Sequence, residues 1–580
     1  MIQDVRAVLA RYGLEEPDLA LLRADERPYR ALLLQPAGPF YADSSRIGPL
    51  DLEDATNRAN ALLKMAAQRG DQLVVTPEYF LPRRALEEAA LGDSFPAQGA
   101  LWVLGCESFS PDQLDEFRTR CNDHCDVIFE TDQEPEVQGS FFDPVAYCFT
   151  TTRDDKSLRR VIIFQFKTAP SRDEHSFESR YLRCGRSIYQ FKNRDGLIKL
   201  STIICSDAFA IGDDPQAIRQ LADRTILIHI QLNQKPKHTD YRRYRNEIFR
   251  LSQDITNCDI VCLNWARNVV LHEPSKEPSA WKNESASAWY LPERRCSVDD
   301  AEVGGNEAKG LYYTAHEKKR HVLHFHYDEA VFALTVPKIV NQGLAILDVR
   351  IGPTLDERHV WQSGTTSWAL DSSCPDTGWR EMVGADDESR AAFADLMDTA
   401  NRLHIERAVS LSCGQKAVAE AWFRVDRLDV FRIAECETVE RATLELDGNS
   451  EARGRRRQRI VKVSILGHIL RTQELPLPIR DLGGGGASIN WSPNSPNTNV
   501  SKPGFLPALV TYLGDCPDPE QIKRTCEAAF ELLRRENKPH KARIGVCYRT
   551  AGGETKFAEI KAQTDFTYDG SSMTSITGVA

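Results

Sequence analysis

The chain has 580 residues, of which 41% are hydrophobic and 27% charged, and its formal net charge is −11. That length exceeds one ordinary core and implies roughly two to four domains, and the composition excludes a disordered or fibrous protein. The acidic balance argues against a general electrostatic affinity for nucleic acid or anionic membrane.

Met1 to Leu22 mixes Asp4, Arg6, Arg11, Glu15, Glu16 and Asp18 with scattered apolar residues, so it lacks the continuous apolar segment of a signal peptide. No run approaches the roughly 18 apolar residues of a membrane span, and a cytoplasmic location is expected. Fifteen cysteines, an odd number without tight framework spacing, suit reduced thiols.

In chain order, residues 1–28 read as a short helical extension. Tyr29 to Gln35 is the first strong strand, and Asp54 to Arg69 is a helix with Ala55, Ala59, Leu62 or Leu63, and Ala66 on one face, ended by Gly70. Gln72 to Thr76 is a second strand with Pro77-Glu78 just past it, and strand–helix–strand order predicts a parallel sheet with covered faces. A strand at Leu101 to Gly105 precedes a polar insertion from Ser108 to about Gly139. The strands Val145 to Thr150 and Val161 to Phe166 then form a hairpin that delivers Lys167.

A polar loop, Thr168 to Gly185, leads to the strand Leu197 to Cys205, where the apolar run Thr202 to Ile204 meets polar Ser206 and Asp207. Strands follow at Thr225 to Leu232 and Ile260 to Trp265, with a helix over about Tyr241 to Thr256 between them. Its apolar stripe is Tyr241, Tyr244, Ile248, Leu251 and Ile255, and Arg242, Arg243, Arg245 and Arg250 fall on a solvated face. Further strands are expected at Ala286 to Leu291, His321 to His326 and Ala330 to Val336. Beyond about Val349 the character changes. Gly352 to Met382 is loop-like, about Asp387 to Leu403 is helical, and Arg459 to Thr472 reads as a strand pair. Asp481 to Lys502 is a loop, Asp518-Pro519 opens a helix to about Glu536, and Arg543 to Arg549 is a last strand before a frayed tail from Thr564.

Three reactive residues thus stand at strand ends of one α/β sheet: Glu78 after Leu-Val-Val-Thr-Pro, Lys167 after Ile-Ile-Phe-Gln-Phe, and Cys205 after Thr-Ile-Ile. A thiol at the tip of a buried strand is positioned by the scaffold while the loop side stays open. With the opening strand and its Gln35, the Asn57-containing helix, Asp207 two residues after the cysteine and the later strand ending in Asn264, the order Glu, Lys, Cys resembles the carbon–nitrogen hydrolase (nitrilase) superfamily over about Arg30 to Lys338.

The resemblance implies an αββα sandwich over residues 29–349, to which residues 350–580 add a C-terminal α+β domain that the family does not supply. It implies Cys205 as the nucleophile on a carbonyl carbon, Glu78 as general base, Lys167 as oxyanion stabiliser and the backbone N–H of Ser206 as second oxyanion donor. It also implies a second glutamate between lysine and cysteine; Glu178, seven residues before Gly185, resembles it best, and Glu174 is the competitor. Cys205-Ser206-Asp207 lacks the Cys-Trp-Glu of nitrile hydrolysers, so an amidase-type enzyme acting on a small-molecule amide is expected, without cofactor or metal and as a homo-oligomer. Acyl transfer to an amine or alcohol is the alternative within the enzymes. A small-molecule-sensing module whose C-terminal domain docks a protein partner is the alternative outside them.

Other signals read as structural. Cys121, His124 and Cys125 lack a second Cys/His pair for zinc. His321, His324 and His326 belong to a half-buried strand, with His324 and His326 sharing a face. Gly483 to Gly486 lack the Lys-Ser/Thr of a phosphate loop. The arginines of Arg453 to Arg459, which follow the acidic stretch Glu435 to Glu451, read as a solvated turn rather than a nucleic-acid contact.

Overall fold

The computed structural model describes residues 2–25, 27–130, 140–236, 239–251, 257–281, 285–293, 295–316, 320–339, 350–373, 402–414, 421–424, 450–534 and 542–560. The expected helix up to residue 401, the acidic stretch before residue 450 and the tail from Thr564 lie outside them. The chain divides into two compact units: Met1–Val298 with Ala308–Pro375, and Asp299–Glu307 with Asp376–Ala580. Among the described residues no helix is long and apolar enough to cross a membrane.

The first unit is mixed α/β and holds two large sheets. In the nine-stranded sheet, Tyr29–Gln35 pairs in parallel with Leu73–Leu81 and, through it, with Leu101–Cys106. Flanking that centre the pairing is antiparallel, with Ala330–Val336 beside Tyr29–Gln35 and the hairpin Pro144–Thr152 and Leu158–Phe166 after Leu101–Cys106, and the edge strand Cys125–Ile128 then pairs in parallel with Leu158–Phe166. The sheet is therefore mixed rather than wholly parallel. A hairpin can join neighbours that run opposite ways, whereas each parallel pair needs a crossover. In the eight-stranded sheet, Lys199–Ile204, Thr225–Ile230 and Cys258–Leu263 run parallel in consecutive register, with antiparallel strands on both sides.

Thr225–Ile230 and Cys258–Leu263 lie against Leu73–Leu81 of the other sheet. The strands buried on both faces read as near-continuous apolar runs, as in Ala31-Leu32-Leu33-Leu34. One side of the nine-stranded sheet packs Leu32, Leu34 and Val74 against Ala59, Leu62, Leu63 and Ala66 of the helix Leu52–Arg69. Asp51 caps that helix and Gly70, with φ 64°, ends it. On the eight-stranded sheet, Ile203, Leu227 and Ile260 pack against Ile218, Leu221, Tyr244 and Ile248 of the helices Pro215–Ala222 and Thr239–Arg250.

Several expectations change. The N-terminal segment begins with a strand, Ile2–Asp4, paired in parallel with Ile188–Lys192, before a single helical turn at Val5–Leu9. The insertion after Ser108 is partly ordered: Pro111–Cys121 is a helix with a Ser110/Gln113 capping box, and Cys125–Ile128 adds to the nine-stranded sheet. Cys121 and Cys125 are buried in the hydrophobic core there. Arg245 is not solvated; it is buried with its guanidinium 4.8 Å from the Tyr290 ring centre. The stretch expected to be loop-like from Gly352 supplies the antiparallel strands Thr354–Gln362 and Ser367–Leu370, which extend the nine-stranded sheet beside Ala330–Val336.

In the second unit, Ser450–Thr472 is one helix and not a strand pair. Its β-branched run favours strand by propensity, but Ile460, Val463, Leu466, Ile469 and Leu470 recur at three- and four-residue steps. All five are buried, and the helix lies against the strand Leu509–Asp515, so burial overrides propensity. That strand pairs in parallel with Ile544–Arg549, to which Thr555–Phe557 adds antiparallel after a turn. The helix Pro519–Arg534 packs on Ile544–Arg549.

Candidate active site

The strand Leu73–Leu81 does not stop at Thr76. Its register with Leu101–Cys106 shifts between Thr76 and Leu81, and Tyr79 within the shift has φ 59°. A bulge of this kind re-aims side chains. It is accommodated by Gly105, where a Cβ would stand only 2.2 Å from the Pro77 carbonyl oxygen. Glu78 is thereby fully buried: its Oε1 accepts from the Lys167 ammonium at 2.7 Å and its Oε2 from the Leu232 N–H. The indole of Trp265 donates to the Glu78 carbonyl at 2.8 Å and holds the bulge.

Lys167, the first residue after Leu158–Phe166, is also buried. Its ammonium donates to Glu178 at 2.7 and 2.8 Å, and Glu178 accepts further from the Tyr79 hydroxyl at 2.8 Å and the Ser171 N–H at 3.0 Å. Glu178 lies in the short helix Phe177–Tyr181, whereas Glu174 is exposed. Of the two candidates it is Glu178 that the fold brings to the lysine. Burial alone would lower the Lys167 pKa, but the charges of Glu178 and Glu78 outweigh it and hold the ammonium well above lysine's ordinary value.

Cys205 follows the strand Lys199–Ile204 and has φ 39°, an unfavourable conformation for a residue with a Cβ. Its N–H donates to Ile230 and its carbonyl accepts from His229 Nε2 at 3.0 Å, so the strained residue is tied to the neighbouring strand on both sides. Its thiol reaches the Tyr241 hydroxyl at 3.7 Å. Burial first, then the charge of Glu78, push the thiol well above its ordinary pKa, which favours the protonated thiol over the thiolate. Ser206 immediately precedes the helix Asp207–Asp213 without a side-chain cap bond to it, and its hydroxyl donates instead to the Ala169 carbonyl at 2.6 Å. Asp207 is structural: it accepts from the Ile204 N–H and from the N–H and hydroxyl of Thr168, which pins the lysine-bearing loop to the cysteine turn.

Cys205 and Glu178 line one pocket of about 570 Å³, together with Tyr79, Phe209, Tyr241 and Trp281. Glu78 and Lys167 do not line it; Lys167 bonds Glu178, which does, and Glu78 bonds Lys167. The carboxylates of Glu78, Glu178 and Asp143 bring one oxygen each within 4.8 Å of one another, a spacing that suits a cation, and the Lys167 ammonium supplies that charge through its bonds to two of them.

Three residues that contact this cluster were not singled out from the sequence: Asp143, His229 and Tyr241. His229 interrupts the apolar strand Thr225–Ile230, and that lone polar residue was the available signal. Its Nδ1 pairs with the Tyr244 hydroxyl at 2.7 Å, and burial, then the charge of Arg245, lower its pKa to about 3. It is neutral at physiological pH and adds no limb of its own near pH 6.5. His229→Leu will release the Cys205 carbonyl and cost about 1–3 kcal/mol, slowing iodoacetamide labelling of Cys205 by about tenfold or more. Labelling and melting unchanged from the wild type would show that His229 does not hold the turn.

No protein-family model matches this chain, and no curated protein does. Similar solved structures include an amidase from Nesterenkonia sp., at 12% identity and a TM-score of 0.30 over 55% of this chain and 92% of that one. A glutamine-dependent NAD+ synthetase from Acinetobacter baumannii is 10% identical at a TM-score of 0.29, over 68% of this chain and 54% of its own. A carbon–nitrogen hydrolase from Helicobacter pylori G27 is 13% identical at 0.27, over 46% and 82%. At these identities and TM-scores the likeness assigns the chain neither a family nor an activity.

Proposed function

We propose that the first unit is an αββα sandwich of carbon–nitrogen hydrolase type that cleaves a non-peptide amide through an acyl-thioester on Cys205. The observation that carries this reading is the buried Lys167 ammonium bonded to both Glu78 and Glu178, beside a strained cysteine that opens on a pocket.

Glu78 takes the thiol proton as sulfur attacks the amide carbon. The negative charge that develops on the carbonyl oxygen faces Lys167 and the Ser206 N–H. Collapse breaks the C–N bond, and the proton held by Glu78 leaves with the amine. Glu78 then takes a proton from water, hydroxide attacks the thioester, and the carboxylic acid and free thiol are released. Glu178 keeps Lys167 in place throughout. The small Ser206 beside the nucleophile fits an amide rather than a nitrile reaction.

The test is ammonia release from a panel of simple aliphatic and aromatic carboxamides, with intact-mass and peptide mapping of the enzyme during turnover. Release that depends on Cys205, with an acyl mass on that residue removable by hydroxylamine, supports hydrolysis. Preferential product formation with an added amine shifts the reading to acyl transfer. Ammonia release that survives Cys205→Ala sinks both.

A further inference from the structure

Asp143 immediately precedes the strand residue Pro144 and is wholly buried. Its backbone carbonyl accepts from the Lys167 N–H at 2.9 Å, yet neither carboxyl oxygen receives a hydrogen bond, although Lys167 Nζ stands 3.5 Å from Oδ2. A buried carboxylate without donors is costly. The groups around it are Glu78 and Tyr79 from the bulged strand, Lys167, Glu178 from the short helix, and the thiols of Cys106 and Cys184, which are near enough to feel its charge. Three carboxyls therefore share one ammonium. With all three ionised the buried cluster would carry a net charge of about −2, which a low-dielectric site does not tolerate.

The donors decide which carboxyl keeps a proton. Glu178 accepts from Lys167, Tyr79 and Ser171, and Glu78 accepts from Lys167 and Leu232. Asp143 accepts from none, and the acceptor it can meet is Glu78. We propose that Asp143 is a neutral carboxylic acid that donates a hydrogen bond to the Glu78 carboxylate, and so acts as a positioning residue that keeps the general base ionised. In agreement, burial first and then the charge of Glu78 raise its pKa well above the ordinary carboxylate range. The two apparently unsatisfied oxygens are then those of an acid whose proton points at its neighbour.

This rests on Glu78 being the base, and its test needs no substrate. Asp143→Asn keeps the shape and a donor. Asp143→Leu removes the donor, which leaves Glu78 more readily protonated by about 1–2 pH units, the worth of a hydrogen bond to a charged group. Iodoacetamide labelling of Cys205, followed by peptide mass spectrometry from pH 5 to 9, is expected to show the wild-type acid limb in Asp143→Asn and a limb moved upward in Asp143→Leu.

In the infrared difference spectrum of wild type minus Asp143→Asn at pH 7, a carboxylic-acid carbonyl band that shifts with [13C]aspartate is expected. Absence of that band overturns the proposal, and so does loss of labelling or folding in Asp143→Asn, since a neutral amide stands in for a neutral acid. A Leu variant that folds with an unmoved limb does the same. If Glu78 is not the base, Glu78→Gln retains the acid limb while the infrared band persists, which separates that failure from this one.

Discussion

Replacing Lys167 with alanine is expected to abolish the proposed amide turnover and to lower stability by about 3–5 kcal/mol, the cost of removing one partner from a buried ion pair. Removing a single oxyanion donor costs about 100- to 1000-fold in rate, and Lys167 also orders Glu78 and Glu178, so the loss is expected at the upper end. The stability deficit should depend on pH. Burial raises the Glu78 pKa and Lys167 is the main group opposing it, so without the ammonium Glu78 rises further. A carboxyl raised in the folded state binds its proton more tightly there than in the unfolded chain. The variant is therefore least impaired at low pH and loses stability as pH climbs through the raised value. Urea unfolding at pH 5 and pH 8 measures this. Equal deficits at both, with ammonia release intact, would count against both roles given to Lys167.

Glu78→Gln is the second large effect. The amide oxygen can still accept from Lys167 or Leu232, but it cannot take the thiol proton, and a loss of about 100- to 10,000-fold is expected for a missing general base. As the proposed base Glu78 has to be ionised, and its pKa lies above the ordinary carboxylate value because of burial, against the pull of Lys167. Activity therefore rises with pH through that raised value and falls away below it. Glu78→Gln should show a low rate without this acid limb. Initial rates of ammonia release from pH 4 to 8 decide the matter, and an acid limb that persists in the variant would falsify the assignment.

What could be read in the chain followed from side-chain periodicity and from residue types at strand ends. Tyr29–Gln35 and Ala330–Val336 are apolar runs bounded by clear stops, and both have the expected limits. Glu78, Lys167 and Cys205 stood out because charged or reactive residues follow apolar strand runs, whereas Glu178 entered only through the family resemblance, with Glu174 as its competitor. What escaped depends on contacts distant in sequence. Asp143 sits in Phe-Phe-Asp-Pro, which locally reads as the approach to a strand. Only the arrival of Glu78, some 65 residues earlier in the chain, makes it part of a charge cluster. Tyr241 belongs by spacing to the apolar stripe of its helix, yet its hydroxyl meets the thiol. Ser450–Thr472 carries strand-like residues in a helical pattern, and its burial against Leu509–Asp515 decides the outcome.

One feature of the division into units bears on how the protein is made. The helix Asp300–Glu307 belongs to the second unit, although the chain returns to the first for residues 308–375. Asp300 there receives a bidentate pair from the buried Arg407 guanidinium, at 2.6 and 2.8 Å. During synthesis this helix emerges about a hundred residues before Arg407 and waits with its carboxylate unmatched, while the strands that complete the first unit are still being added. The second unit is therefore not a module that can be cut away at one point. A fragment beginning at residue 376 leaves the Arg407 guanidinium without its anion, which stays on the discarded piece.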